Sequence, residues 1–195
     1  MTETTVLKVE DIRKEAEDKK CPVQKALFYV EGFLEGPMCG RCFPCALGSY
    51  EAKIRLQNLI ENRGSEEDIA VLRRIADDML ISSFCKKGKD TARFMLEWID
   101  SGVFQEHVVG TCRDMECKDF VEYRIIPEKC IMCGECKDVC KAKAIFGKRK
   151  KKYQTGNFPF EIRQKRCEKH GDCIKVCPTG AIVFVSKHKT ETVEI

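Results

Sequence analysis

Three things are missing from this 195-residue sequence, and each absence removes a class of function. No apolar run approaches the ~20 residues of a membrane-spanning helix, so no membrane span is expected. Met1 to Val9 lacks a basic start followed by an apolar stretch and a small-residue cleavage site, so no secretory signal is read there. No G-x-G-x-x-G follows a strand, no phosphate loop occurs, and no Ser, His and Asp set pairs a nucleophile with a base. No dinucleotide fold, flavin motif or hydrolytic centre is therefore expected, and no catalytic residue is assigned. Charged residues make up 34% of the chain. The small core that remains needs bound metal to fold well.

Cysteine is present in excess, with 14 residues. Disulfides require an oxidising compartment. The cysteines stand at C-x2-C and C-x3-C intervals, which suit one metal centre better than loop-closing bridges. Metal ligation in a reducing cytoplasm is the expectation.

Residues 1–20 are mostly polar, and Asp11 to Lys20 reads as a charged helix or a loose arm. Cys21-Pro22 opens a stretch in which Val23, Ala26, Leu27, Val30 and Phe33 recur at three and four, an amphipathic helix with Pro22 in its first turn. Gly32, Gly36 and Pro37 end it and begin a tight loop carrying Cys39, Cys42 and Cys45. A helix near 47–62 presents Tyr50, Ile54, Leu56, Leu59 and Ile60. The next starts at Ser65, whose spacing to Asp68 makes a capping box with Asp in place of Glu, and buries Ile69, Leu72, Ile75, Ala76 and Met79. Cys85 lies just past its end. A last helix near 91–101 presents Phe94, Met95, Trp98 and Ile99 and stops at Gly102. These helices read as a four-helix bundle over 1–105, with its core in 21–105. A charged linker, 106–120, carries His107, Cys112 and Cys117, and a second domain spans 121–195.

That second domain is internally duplicated. Strand 122–126, Cys130–Cys140 and strand 160–162 are followed by Cys167–Cys177 and strand 182–185. Cys130-x2-Cys133-x2-Cys136-x3-Cys140 is similar to the run of bacterial two-cluster ferredoxins, although Lys141 stands where proline usually follows. Three thiolates on a tight loop reach three corners of one cubane, and the fourth opens a helix and points at the other cluster. The second run is Cys167, His170, Cys173 and Cys177, with His170 in place of the second cysteine. Crossing the runs gives one cluster Cys130, Cys133, Cys136 and Cys177, and the other Cys140, Cys167 and Cys173. Three readings of His170 stay open. It ligates the fourth iron; the site holds a [3Fe-4S] cluster; or water or a partner binds that iron and His170 is a polar loop residue. Imidazole in place of thiolate removes one negative charge, so this cluster is expected to have the higher potential and to serve as a brief electron store.

In the first half, Cys39-x2-Cys42-x2-Cys45 supplies three thiolates, and Cys85 can supply a fourth. The segment from Gly36 to Gly48, through Cys39, Gly40, Cys42, Pro44, Cys45 and Gly48, resembles the cluster-binding C-terminal domain of the flavoprotein subunit of NADH:quinone oxidoreductase. Ser82-Ser83-Phe84-Cys85 falls where that family has its last ligand. The resemblance covers residues 30–105 and implies a [4Fe-4S] cluster on these four cysteines. The order of the two halves resembles the C-terminal part of flavoprotein subunits of multimeric NAD-linked, often electron-bifurcating, hydrogenases and formate dehydrogenases. Their flavin- and NADH-binding domain has no counterpart here, so NADH oxidation is not carried over.

Cys21, Cys112 and Cys117 remain. His107-x4-Cys112-x4-Cys117 has zinc-like spacing, and Cys21 completes a Cys3His tetrahedron if the first helix folds back onto the linker. Free thiols in a reducing cytoplasm are the alternative. The resembling hydrogenase subunits carry His and Cys at this junction, which implies a structural zinc. Metal loading also revises the formal charge of +4. Two all-thiolate clusters bring about −4, and a three-thiolate cluster and zinc site about −2 more. Apparent basicity is then no sign of nucleic-acid binding. Lys148 to Lys152 (KRKKK) reads first as a solvated loop and second as a docking surface for an acidic redox partner. No aromatic platform for nucleic acid accompanies it. His188 lies in a polar tail without an assigned role.

The expected fold class is α+β: an N-terminal helical bundle with one [4Fe-4S] cluster, then a ferredoxin-like two-cluster domain with short antiparallel strands. Three iron–sulfur clusters and a structural zinc are the expected cofactors. The expected function is that of a non-catalytic subunit in a hetero-oligomeric oxidoreductase of anaerobic metabolism, cytoplasmic, with no nucleic acid as partner. It would relay electrons between a flavoprotein or NAD(P)-handling subunit and a second redox enzyme. A free-standing ferredoxin-like shuttle is the alternative, against which the extra helical half counts. A redox or metal sensor would need a DNA-binding or signalling element, and none is visible.

Overall fold

The computed structural model describes residues 8–187, which divide into two units between Phe120 and Val121. The reading of the first seven residues and that of His188 lie outside this range. No described helix is long and apolar enough to cross a membrane.

The first unit is helical. Helix α1 (Val9–Glu17) is the stretch read as a charged helix or arm. Its apolar positions are sparse but fall on one face, where Ile12 and Ala16 are buried. Ile12 sits on Gly32 of α2 (Pro22–Glu35), where an added Cβ would come within 2.8 Å of it. Gly32 is therefore inside the helix, at a close approach, and α2 runs on to Glu35. Tyr29 of α2 stacks on Phe94 with ring centroids 4.2 Å apart. Helix α3 (Phe43–Ile60) begins four residues before the expected start and has Pro44 in its first turn. Its buried face is Cys45, Ser49, Ala52, Leu56 and Leu59. Tyr50 and Ile54 face outward instead, on a stripe with Phe43 and Leu47. The core took the stripe of small residues because α4 comes close: a Cβ on Gly48 would sit 3.0 Å from Ile75.

Helix α4 (Glu66–Ser82) opens on the expected capping box, in which Ser65 accepts from the Asp68 amide and Asp68 accepts from the Ser65 amide. Asp68 also receives Arg55 Nη1 at 2.9 Å. Helix α5 (Lys86–Ile99) starts directly after Cys85, and α6 (Val103–Val108) follows the left-handed Gly102. The stretch read as a linker folds into this unit. Phe104, His107, Cys112, Cys117 and Phe120 are all buried, and each phenylalanine contributes roughly 1.5–3 kcal/mol by leaving water.

The second unit is built twice over a shift of 37 positions, the interval from Cys130 to Cys167. Strand β1 (Val121–Ile125) pairs antiparallel with β4 (Ile182–Ser186), setting Ile125 opposite Ile182. The shorter pair β2 (Ile145–Phe146) and β3 (Glu161–Ile162) sets Ile145 opposite Ile162. Helices α7 (Glu135–Asp138) and α8 (Asp172–Val176) occupy equivalent places, each opened by a left-handed glycine, Gly134 at φ 84° and Gly171 at φ 82°. The preceding residues Met132 and Lys169 repeat the correspondence, with φ of 60° and 57°. Closing bonds match as well: Ile126 N–H donates to Ala181 O at 2.8 Å, and Arg163 N–H to Ala144 O at 2.9 Å.

Candidate metal centres

All 14 cysteines are unpaired thiols. In the first unit, Cys42 is the residue before α3, Cys45 lies in the first turn of α3, and Cys85 immediately precedes α5. Two helix N-termini, with their partial positive charge, thus meet at one group of thiols. Gly40, at φ 70°, turns the loop between Cys39 and Cys42. Phe84 N–H donates to Cys42 Sγ at 3.4 Å. Burial pushes the Cys45 thiol up, the Ser83 hydroxyl beside it works the other way, and the thiols of Cys42, Cys85 and Cys39 raise it again. These four sulfurs share one electrostatic neighbourhood, while Cys39 and Cys85 stay exposed.

Two features of that neighbourhood fit an anionic cluster. A Cβ on Gly88 would lie 3.0 Å from Cys45 Sγ and 2.6 Å from Ser83 Oγ, so only glycine leaves this side open. The Ser83 hydroxyl is buried without a hydrogen-bond partner of good geometry, and sulfur charge at Cys45 would give its proton an acceptor. Sequence reasoning missed both residues. The available signal was a lone glycine three places after Cys85, inside a lysine run with no turn.

In the second unit the two cysteine runs cross. Cys130, Cys133, Cys136 and Cys177 line one cavity, with Phe160 and Ile182. Cys140, Cys167, Cys173 and His170 line the other, with Tyr123 and Ile145. Under the 37-residue shift Tyr123 takes the place of Phe160 and His170 that of Cys133. The crossing cysteines are held alike, since Ala144 N–H donates to Cys140 Sγ and Ala181 N–H to Cys177 Sγ, both at 3.2 Å. Burial pushes the Cys136 thiol up to about 11, helped by Cys133 and Cys130. Burial also raises Cys173, helped by Cys167 and then by Cys140 of the other run. At Cys177 burial pulls up, but hydrogen bonds from Thr179 and from the Ala181, Thr179 and Ile182 amides outweigh it and hold the thiol low. Sulfur charge is thus favoured there. His170 is exposed, and its Nε2 lies 3.3 Å from Glu168 Oε2.

The third kind of centre is a buried cage. Cys21, His107, Cys112 and Cys117 place their ligand atoms within 4.8 Å of one another, all four buried. His107 Nε2 lies 3.3 Å from Cys21 Sγ and 3.4 Å from Cys117 Sγ, and those two sulfurs are 3.6 Å apart. A tetrahedral Cys3His zinc site has edges of about 3.6–3.8 Å. The second ring nitrogen, Nδ1, is 3.4 Å from Val103 O, an orientation that leaves Nε2 for a metal. Burial alone would lower the His107 pKa, but the Cys112 and Cys21 sulfurs lift it to about 10. The cage favours positive charge at its centre. Hydrogen bonds from Cys117 and Cys21 pull the Cys112 thiol down, while Cys112 and Cys21 push that of Cys117 up. Glu116 Oε2 fastens the entry to α2 by accepting the Lys20 and Cys21 amides at 2.9 and 2.6 Å. Glu116 is another residue that sequence reasoning passed over.

Comparison with known proteins assigns the two units separately. Residues 25–108 match the NADH-ubiquinone oxidoreductase-F iron-sulfur binding region. Residues 123–181 match the 4Fe-4S dicluster domain. The NADP-reducing hydrogenase subunit HndC of Solidesulfovibrio fructosivorans is 27% identical over 69% of this chain and 28% of its own length. The F-type subunit of the NADH-quinone oxidoreductase of Mycobacterium tuberculosis is 34% identical over 39% of this chain and 17% of its own. The beta subunit of the NADP(+)-dependent formate dehydrogenase of Moorella thermoacetica is 31% identical over 34% of this chain and 10% of its own. The chain thus spans less than a third of the length of these relatives. Over these two stretches the chain is similar to iron–sulfur binding domains of electron-transfer proteins, the NADH-ubiquinone oxidoreductase-F region in the first unit and the 4Fe-4S dicluster domain in the second.

Proposed function

We propose that this chain relays electrons through three clusters, as a non-catalytic subunit between a flavin- or NAD(P)-handling partner and a second redox protein in a reducing cytoplasm. The observation that carries the reading is the crossed pairing of the two cysteine runs, in which each run sends its last cysteine to the other's cavity. A bound [4Fe-4S] cluster takes up and returns one electron at a time. Cys39, Cys42, Cys45 and Cys85 hold the first. Cys130, Cys133, Cys136 and Cys177 hold the second. Cys140, Cys167, Cys173 and His170 hold the third. The chain's own work is to fix spacing, exclude water and supply hydrogen bonds to sulfur. The amides of Phe84, Ala144 and Ala181 do this at one cysteine of each set. A neutral imidazole leaves the third site one negative charge short of the second, which makes it easier to reduce.

Zinc in the Cys21, His107, Cys112 and Cys117 cage is the structural part of the proposal. It would tie the start of α2 to the segment after α6. The relatives' names place them in NADP-reducing hydrogenase, NADH-quinone oxidoreductase and formate dehydrogenase assemblies, which supports a hetero-oligomeric setting.

The test is iron and zinc per chain on anaerobically purified protein, with EPR before and after reduction. About twelve irons and one zinc are expected. About eleven irons with a three-iron signal on oxidation would remove His170 from the ligand set. About four irons or fewer after reconstitution would overturn the three-cluster relay.

A further inference from the structure

The electron-transfer reading leaves the basic insert between the two cysteine runs unexplained. Residues 121–187 contain sixteen lysines and arginines against seven aspartates and glutamates. Two clusters of the proposed ligation would add about −3, so the unit stays basic when loaded. The positive charge is densest at Lys148, Arg149, Lys150, Lys151 and Lys152, all exposed. Under the shift of 37, Lys148 and Arg149 fall on Val185 and Ser186 of β4, so the charge is not part of what repeats there.

The insert is fastened to one cysteine loop. Lys150 N–H donates to Met132 O at 3.1 Å, and Phe158 N–H to Met132 Sδ at 3.2 Å. Asn157 Nδ2 donates to Pro127 O at 3.0 Å, and Lys137 Nζ to Gly147 O at 3.0 Å. Arg149 lies over Gly134, where a Cβ would meet its side chain at 2.5 Å, and pairs with Asp138. Met132 and Gly134 are the two neighbours of Cys133. The lysines are therefore held beside the Cys130, Cys133, Cys136 and Cys177 cavity. One groove lies between the insert and α7, and another between the insert and the β2–β3 pair.

We infer that this face docks a small acidic electron-carrier protein, with the cavity of Cys130, Cys133, Cys136 and Cys177 as its port. The inference rests on the electron-transfer reading above. A cluster of five cations on a tethered loop steers an anionic partner and fixes its approach, and it does so more weakly as salt rises. Tyr153 and Phe158 stand beside it with 92% and 64% of their surfaces exposed, and provide the apolar contact that such interfaces need at their centre. These two rings correct the expectation that no aromatic platform accompanies the charges, and the pairing of cations with exposed aromatics is also what single-stranded nucleic acid uses. Proximity to the redox cavity favours the carrier, and nucleic acid is the rival occupant.

The experiment is a calorimetric titration of the anaerobically reconstituted full chain with an acidic bacterial flavodoxin. A single-stranded oligonucleotide serves as the second probe. The expected result is saturable flavodoxin binding that weakens about tenfold or more between low and moderate salt. The triple variant Lys150→Glu, Lys151→Glu, Lys152→Glu should lose at least about tenfold in affinity. Reversal at Lys165 and Lys175 should leave it within about twofold, and the EPR spectra of all variants should match the parent. No binding to the parent chain, or binding unmoved by the triple reversal, would overturn the proposal. Tighter binding of the oligonucleotide than of flavodoxin, lost on the same reversal, would overturn it in favour of nucleic acid. Low iron content with intact, salt-sensitive flavodoxin binding would sink the cluster relay and leave the docking face standing.

Discussion

The two halves of the second unit share a backbone and differ in what they hang on it. Strand ends, glycine-capped helices and the amide donated to the crossing cysteine recur at a constant shift. Against that sameness stand two exchanges: His170 where the first half has Cys133, and Tyr123 where the second cavity has Phe160. Geometry was duplicated while charge and polarity were changed. A repeat of this kind separates two quantities that usually move together, the shape of a metal site and its electrostatics.

The largest effect tests the crossing itself. Cys140→Ala should strip about four irons per chain from the His170 site and leave the Cys136 site loaded. EPR should lose one reduced-cluster signal and keep the other. Loss from the Cys136 site instead would mean the runs do not cross. Next comes the exchanged ligand. His170→Cys makes the two ligand sets alike, and should lower that site's midpoint potential by on the order of 100 mV in a redox titration. An unchanged potential would remove His170 from the iron.

A smaller effect compares the equivalent glycines. Alanine at either position must adopt a left-handed backbone, at a cost of about 1–2 kcal/mol. At Gly134 it also displaces Arg149, whereas at Gly171 the nearest atom is Tyr123 Oη at 3.4 Å. Thermal unfolding of the loaded protein should place Gly134→Ala below Gly171→Ala. The smallest effect lies outside the repeat and calibrates it. Burial pulls the Asp68 carboxyl up, but Arg55 and Ser65 outweigh it and hold it below its usual range. That stabilisation is present above the unfolded carboxyl pKa and is lost as pH falls through the folded one. Asp68→Ala should cost about 1–2 kcal/mol at neutral pH in denaturant unfolding, and the gap to the parent should narrow towards pH 3.

What was legible in the sequence was local. The Ser65 and Asp68 capping box depends on residues three apart, and the cysteine runs on intervals set by one loop. The apolar faces of α2, α4 and α5 follow directly from period. What was not legible depends on distant neighbours. Tyr50 and Ile54 look like core by periodicity, yet α4 approaches at Gly48 and selects the small-residue face. Ile12 and Ala16 are too few to announce α1 until Gly32 offers them a seat. The segment after Gly102 is rich in charge and reads as a linker, but Phe104 and Phe120 draw it into the core. Cys21 could be joined to His107 only on a condition about folding back, because no short-range pattern links residues 86 positions apart. Ser83 and Gly88 are ordinary small residues whose importance exists only beside Cys45.

The cage at Cys21 also bears on the order in which the chain folds. Most of the first unit joins helices that follow one another, a topology of low contact order that forms quickly. The contact between Cys21 and Cys117 closes a loop of 96 residues, at an entropic cost of about 4 kcal/mol. Condensation of α2 to α6 between its ends lowers that cost, so the cage is expected to assemble late. In kinetic terms a late contact of this kind would make a metal ion captured there a register that the unit is complete.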